Sequence, residues 1–332
     1  MFKKSLLLVV SCAMIYADEE APVPPQVIEK QLSDAEKEFQ EAKKMFNPWY
    51  AGPLLAPSAH VIPPHSYNIQ PYLFFTDTYG QFDKHGNSHA LPHHKHQIKP
   101  QVVFQFGMFE RLDGVVSIPG IRNRQNGHSS TNIGDANASL GFGILKESAY
   151  HPAILVSVQE TFPTGKYNNL DPKKGGVDAT GGGSYQTTIN LNFSKVVWWW
   201  TTHPMALRLS LGYSIPSSVK VNNFNAYGGA VGTHGTVHPG NSFSADFGYE
   251  YSFTQRWVAA LDVVYSYSWK TTFSGHATAP MTSPFSDQFS LAPALEYNPS
   301  PNLGLLAGVW FTVWGRNSSN FFSEIVSVTY SF

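Results

Sequence analysis

The sequence predicts an all-β protein, an antiparallel transmembrane β-barrel of about 12 strands with a short periplasmic N-terminal helix. Three observations predict it: long segments that alternate between apolar and polar residues, a low charge content, and connections that are alternately short and long. Charged residues make up 14% of the chain, against roughly 25% in ordinary soluble domains. No window after the N-terminus offers the ~18–20 uninterrupted apolar residues of a membrane helix, which argues against a helical membrane protein.

The charge balance bears on possible partners. Lys and Arg number 22 and Asp and Glu 23, so the two signs nearly cancel. Without a net basic field, we expect no nucleic acid partner.

Residues 1–17 are predicted to be a secretory signal peptide. Lys3 and Lys4 precede an apolar run, and Ala17 precedes an acidic segment. The alternative is a lipoprotein signal, because residues 9–12 (VVSC) resemble a lipobox. Cys12 is the only cysteine, so cleavage after Ala17 would exclude disulfides, thiolate metal sites and cysteine nucleophiles.

Residues 18–48 are predicted to form an acidic amphipathic helical leader. Apolar residues recur at alternating spacings of four and three, as on one face of a helix. They are Ile28, Leu32, Ala35, Phe39, Ala42 and Phe46. Two interpretations stay open: a short coiled coil that makes a homo-oligomer through the 28–46 helix, or a solvated tether.

Residues 49–65 are predicted to be a Pro-rich linker or plug. Prolines at 53, 57, 63 and 64 exclude helix and central strand. Trp49, Leu54 and Leu55 would fill the lumen if the segment folds inward. Otherwise the segment lies in the periplasm.

Residues 66–332 are predicted to be the barrel. In the last strand Val326, Val328 and Tyr330 alternate with Ser327 and Thr329, which is strand periodicity. Such segments are long enough to cross a bilayer, and aliphatic and aromatic residues are assigned to lipid. The predicted strands are 66–79, 98–110, 112–121, 133–145, 152–162, 184–197, 203–214, 241–253, 257–270, 286–297, 303–314 and 321–332.

The connections support this parse because they alternate in length. Short ones lie near 111, 146–151, 198–202, 254–256 and 298–302. Longer ones lie at 80–97, 122–132, 163–183, 215–240 and 271–285, with a shorter one at 315–320. Outer-membrane barrels have short periplasmic turns and longer outer loops, so we predict the bacterial outer membrane, contact with its lipids, and both termini in the periplasm.

The chain also resembles a known family. Segment 162–167 (FPTGKY) is followed by 180–186 (TGGGSYQ), an alternating strand, a turn at 198–200 (WWW) and 209–213 (LSLGY). This succession resembles the outer-membrane transporters of the "MetA-pathway of phenol degradation" family over residues 65–332. The terminal Tyr330-Ser331-Phe332 is similar to the aromatic signature of outer-membrane proteins. The resemblance implies passage of small, often aromatic or hydrophobic, compounds and supplies no catalytic residues.

We therefore predict a channel or transporter that passes small solutes through a narrow polar lumen, with no cofactor. Its pore-lining charges are predicted to be Arg208, Asp246, Glu250, Asp262, Lys270 and Glu296. They form either an electrostatic constriction or a salt-bridged wall in which Arg208 pairs with Asp246 or Glu250.

Alternative functions rest on the outer loops. A non-conducting surface scaffold or adhesin would bind through loops 163–183 and 215–240. A barrel-embedded hydrolase would use His128 with Ser130. We expect no metal site, and the only weak candidate is a set of imidazoles in loop 80–97, which is predicted to be flexible. Its members are His85, His89, His93, His94 and His96.

Overall fold

Residues 24–45, 49–197 and 203–332 are described by a computed structural model of the chain. The predicted signal peptide 1–17, Phe46 and the tryptophans of segment 198–200 lie outside these ranges.

One α-helix, α1 (Pro25–Met45), occupies most of the predicted helical leader. Glu36 Oε2 accepts a hydrogen bond from the backbone N–H of Ala149 at 2.9 Å, which fixes the helix beside segment 146–152. The same bond lowers the pKa of Glu36. Ile28 and Leu32, on the predicted apolar stripe, are each 44% exposed. No helix in the described ranges has both the length and the hydropathy to cross a membrane.

Sixteen strands lie in the described ranges. They are β1 (Tyr67–Phe82), β2 (Ser88–Phe109), β3 (Leu112–Gln125), β4 (His128–Ile133), β5 (Ala136–Leu145), β6 (Ala153–Phe162), β7 (Gln186–Val197), β8 (Met205–Pro216), β9 (Val219–Asn222), β10 (His234–His238), β11 (Ser242–Ser252), β12 (Trp257–Ser268), β13 (Thr272–His276), β14 (Ser286–Ser300), β15 (Leu303–Arg316) and β16 (Ser319–Ser331).

Twelve of these strands form a closed antiparallel ring. Its order is β1-β2-β3-β5-β6-β7-β8-β11-β12-β14-β15-β16, and β16 pairs again with β1. At the seam Tyr67 and Phe332 exchange both backbone hydrogen bonds, at 2.8 and 2.9 Å. A closed ring pairs every strand on both edges, as hydrocarbon requires. The prediction of a 12-strand barrel is confirmed.

The two ends of the ring differ in their connections. At the "short-turn end" the strands are joined by segments such as 110–111, 253–256 and 301–302. At the "long-loop end" the connections carry hairpin extensions, the short strands and the loop 163–185. The alternation read from the sequence therefore follows the topology of the ring.

The prediction of a flexible loop at 80–97 was wrong. β1 continues to Phe82 and β2 starts at Ser88, so four of the five histidines lie on a strand. Asp83 makes the turn between them, accepting from the N–H groups of His85 at 2.7 Å and Asn87 at 3.0 Å. In the predicted loop 122–132, β4 pairs with β3 around Asn126-Gly127, both at positive φ. Alternation of His, Lys and Ser gives little apolar contrast, which hid these strand extensions.

The long-loop end also carries a second sheet. This three-stranded sheet is formed by β9, β10 and β13. Residues 215–240 and 271–285 were predicted only as loops. The sheet has its own apolar cluster, formed by Val219, Val221, Val237 and Met281. Strands of four or five residues are too short for the alternation to identify them.

The predicted faces of β16 agree with the exposure of its side chains. In β16 Val326 and Val328 are 46% and 39% exposed, whereas Ser323 and Ser327 on the other face are 0% and 5% exposed. The outward face is thus apolar and the inward face mainly polar. Leu140 in the middle of β5 is an outward residue, 54% exposed.

This outward face yields a test. We expect Leu140→Arg to lower the free energy of unfolding in lipid vesicles by about 2–4 kcal/mol, because it places a charge in hydrocarbon. Urea unfolding followed by tryptophan fluorescence measures it. The control is Val231→Arg, at a loop residue 71% exposed, which we expect to change the stability little. Equal effects of the two substitutions would contradict the assignment of faces.

Candidate functional site

Five of the six predicted pore charges lie together inside the barrel. Arg208 is on β8, Asp246 and Glu250 on β11, Asp262 on β12 and Glu296 on β14, four consecutive strands of the ring. Glu250, Asp262 and Glu296 have no exposed surface.

The sixth residue is placed elsewhere. Lys270 follows the end of β12, which stops at Ser268, and is exposed at the long-loop end. The predicted strand 257–270 was two residues too long, so Lys270 falls outside the inner wall.

The strand register explains how the charges meet. Gly248 of β11 lies opposite Arg208 of β8 on one side and Asp262 of β12 on the other. Arg208 Nε donates to Glu250 Oε2 at 3.0 Å, one of the two predicted pairings.

One guanidinium faces several buried carboxyl groups. Asp246 Oδ1, Glu250 Oε1 and Glu296 Oε1 are buried and have no hydrogen-bond partner in the described part of the chain. Arg208 alone does not balance four carboxyl groups. The remaining acceptors are therefore available to other hydrogen-bond donors.

Other carboxyl oxygen atoms of this cluster accept hydrogen bonds from the Pro-rich segment, whose residues 49–64 run through the lumen. The segment starts at the short-turn end, where Trp49 N–H donates to Gln255 O at 3.1 Å and Trp49 O accepts from Asn298 Nδ2. Ala51 N–H then donates to Glu296 Oε2 at 2.8 Å.

Further along the segment, other backbone N–H groups donate to carboxyl groups of the barrel strands. Asp262 accepts from the N–H groups of Leu55 and Ala56, both at 3.1 Å. Ile62 N–H donates to Asp113 Oδ2 at 3.2 Å. Prolines prevent the segment from joining the sheet, so its remaining N–H groups need side-chain acceptors. Carboxylates are strong acceptors, each bond contributing roughly 1.5–3 kcal/mol.

Apolar contacts hold the centre of the segment. Leu54 is 2% exposed and belongs to a cluster on the inner face of β1, β14, β15 and β16. Its other buried members are Phe74, Ala292, Leu306 and Ile325. The prediction that aliphatic residues face lipid was wrong for this inner group. The available signal was an apolar residue on an otherwise polar face, such as Ile325 between Ser323 and Ser327.

Inward glycines give the segment its space. A Cβ atom at Gly304 would lie 2.6 Å from Ala51 Cβ, and one at Gly107 would lie 1.9 Å from Pro63 O. Three further inward glycines lie against the segment. Gly143 faces Val61, Gly248 faces Pro53 and Ala56, and Gly308 faces Leu54. Isolated glycines inside strands often mark such close approaches, a signal that sequence analysis did not use.

A cavity of about 460 Å³ lies in the lumen on the long-loop side of the segment. Phe74, Trp310 and Phe321 contribute aromatic surface, and Lys99 contributes an ammonium group. Most of the remaining lining is hydroxyl and amide side chains, with Asp287 at one edge. The lumen therefore holds a polar chamber with one aromatic wall.

Loop 163–183 folds over this end of the lumen. Asn123, buried on β3, donates through Nδ2 to Val177 O at 3.1 Å and Ala179 O at 2.9 Å. Tyr227 Oη donates to Gly182 O at 2.7 Å. Burial raises the pKa of Tyr227 to about 12, so its hydroxyl remains protonated and keeps this bond.

The histidines of the 80–97 hairpin pair with aspartates. His89 Nε2 lies 3.1 Å from Asp83 Oδ2, and His94 Nδ1 lies 3.0 Å from Asp77 Oδ2. The bond with His89 is the main reason that the pKa of Asp83 lies well below its usual range. Within the described ranges no three His, Cys, Asp or Glu side chains are grouped to hold a metal ion.

His128 and Ser130 do not form a catalytic pair. Both lie on β4, two residues apart, a spacing of about 6–7 Å along a strand. Ser130 Oγ instead accepts from Asn132 Nδ2 at 3.2 Å. The geometry gives the predicted hydrolase no nucleophile–base hydrogen bond.

A comparison with protein families matches residues 100–325 to the model described as "Putative MetA-pathway of phenol degradation". No curated protein matches the chain.

Among solved structures, an outer membrane channel from Pseudomonas putida F1 is similar with a TM-score of 0.68. It is 13% identical, and the match covers 84% of this chain and 100% of that one. The translocator domain of the autotransporter NalP from Neisseria meningitidis gives a TM-score of 0.46 at 11% identity, covering 92% and 98% of the two chains. The first similarity supports the barrel fold.

The contacts of Asp262 yield a test. Asp262→Ala would leave the buried N–H groups of Leu55 and Ala56 without an acceptor, at a cost of about 1–3 kcal/mol each. We expect amide hydrogen exchange at these two residues, measured by mass spectrometry, to accelerate about tenfold or more. The matched control is Ser266→Ala on the same face of β12. If Leu55 and Ala56 exchange equally slowly in both variants, Asp262 does not hold the segment.

Proposed function

The chain belongs to the "Putative MetA-pathway of phenol degradation" family, and we infer that it is an outer-membrane channel whose lumen is closed at rest by segment 49–64. The family description and the aromatic wall of the cavity support small, aromatic or hydrophobic solutes.

The segment that crosses the lumen is the observation that carries this proposal. A barrel of about eight strands can fill its interior with side chains of its own wall, whereas a wider ring leaves additional space. Here the obstruction is a separate piece of chain, fitted into clearance left by glycines and bonded to carboxylates of the wall. Hydrogen bonds of this kind break and re-form without unfolding the ring.

The charge cluster has two roles in this proposal. With the segment in place, the carboxylates Asp113, Asp262 and Glu296 act as its acceptors. With the segment displaced, the same carboxylates and Arg208 line the pathway and orient a permeating solute. The predicted constriction and the predicted salt-bridged wall are then two states of one site.

The orientation and assembly of the channel belong to the same proposal. Helix α1 and Phe332 lie at the short-turn end. Short turns face the periplasm in barrels of this type, so both termini are periplasmic in the proposed orientation. Residues 1–17 act as the signal peptide. A homo-oligomer formed through helix 28–46 remains a prediction. Its support is the exposure of three apolar side chains of the helix, Val27, Ile28 and Leu32.

A surface scaffold is the second candidate function. Loops 163–183 and 215–240 pack into an ordered cap with its own apolar cluster, as a binding surface would require. A scaffold keeps its lumen sealed in the wild type, whereas a channel opens, so conductance of the wild type distinguishes the two functions.

Deleting residues 49–64 tests the channel. We expect the wild type to show rare openings in planar bilayers and the deletion variant to show persistent ion conductance, because the obstruction is gone. A disulfide between Ala59→Cys and Ser194→Cys, in a Cys12→Ser background, is expected to lock the segment until reductant is added, because Ala59 N–H donates to Ser194 Oγ at 2.9 Å and the two residues are within disulfide range.

Ser194→Cys alone is the matched control for this experiment, since it adds the same thiol without the tether. A deletion variant that folds and inserts yet conducts no better than the oxidised double variant would support the scaffold.

A further inference from the structure

The lumen cavity combines a fixed aromatic wall with a single ammonium group. Trp310 and Phe321 meet edge to face with ring centroids 4.9 Å apart. Trp310 Nε1 donates to Ser290 Oγ at 2.8 Å, which holds the indole in place. The cavity volume, about 460 Å³, falls within the range of roughly 300–1,000 Å³ that is usual for small-molecule sites.

Lys99 reaches this cavity from the inner face of β2. Its Nζ atom lies 4.1 Å from the ring centroid of Phe74, directly opposite in the register. Among the described residues no carboxylate forms an ion pair with Lys99. Asp287, the carboxylate at the cavity edge, is already paired with Arg316.

An ammonium group beside aromatic rings, without a counter-ion, is complementary to an anion that also carries a ring. We propose that the cavity binds a small aromatic carboxylate, with the carboxylate on Lys99 and the ring against Phe74 and Trp310. A charge-assisted hydrogen bond and an aromatic contact then reinforce each other. The assignment rests on the proposed channel, because it names the solute class of that lumen.

The position of the site links it to the segment that closes the lumen. Phe74 belongs to the cluster around Leu54, and Trp310 packs against it. A ligand on these two rings therefore sits directly above segment 49–64.

Isothermal titration of the full chain in detergent tests the assignment, with benzoate, benzyl alcohol and acetate as probes. Benzoate is expected to bind more tightly than either of the others. Lys99→Gln is expected to weaken benzoate about tenfold or more, while benzyl alcohol changes less than about threefold. Lys99→Arg is expected to restore benzoate binding. Lys95→Gln removes the same charge from the inner face of β2 outside the cavity and is expected to change benzoate less than about threefold.

Equal affinities for benzoate and acetate, or unchanged benzoate binding in a folded Lys99→Gln variant, overturn the proposal. These failures are separable from failure of the channel. If benzoate does not bind but the chain lacking residues 49–64 conducts, only the ligand assignment is wrong. If benzoate binds as described but that chain does not conduct, only the channel is wrong.

Discussion

Pairing of every backbone amide around a closed ring is the constraint on which this structure depends. Hydrocarbon offers no hydrogen-bond partners, so β16 must return to β1 and bury both edges. Closure fixes the register, and the register decides which residues face lipid and which face the lumen. The charge cluster on β8, β11, β12 and β14 is a consequence, because alternate positions of consecutive strands must point inward together.

The same constraint, that backbone amides need hydrogen-bond partners, applies to the segment inside the ring. A proline-rich chain inside the ring cannot pair with the strands, and its amides would be costly if they were left without acceptors. Carboxylates of the wall satisfy them, and glycines of the wall provide the room. The same residues thus stabilise segment 49–64 inside the ring. In our proposal, displacement of this segment opens the pathway.

The sequence predicted the strands of the ring well, but it predicted the contacts inside the lumen poorly. Alternation over ten or more residues identifies strands and faces wherever lipid contrasts with a polar lumen, as in β16. It fails at residues 80–97, where both faces are polar, and in β9, β10 and β13, which are too short. The prolines at 53 and 57 are compatible with both a linker and a plug. The choice between them depends on contacts with residues about two hundred positions away, such as Asp262 and Glu296. The cavity at Lys99 and Trp310 likewise needs the register of distant strands.

Ring closure is the central claim, and a cross-link at the seam tests it most directly. Asn68 and Ser331 are partners in the register, and Asn68 Nδ2 donates to Ser331 Oγ at 3.0 Å. Opposed residues of antiparallel strands lie within disulfide distance, so the variant Asn68→Cys/Ser331→Cys in a Cys12→Ser background should form an intramolecular disulfide in the membrane. The internal pair Thr188→Cys/Ser214→Cys, between β7 and β8, sets the reference yield. Equal yields are the result that a closed barrel predicts, whereas cross-linking only at the internal pair would show an open sheet and contradict the account.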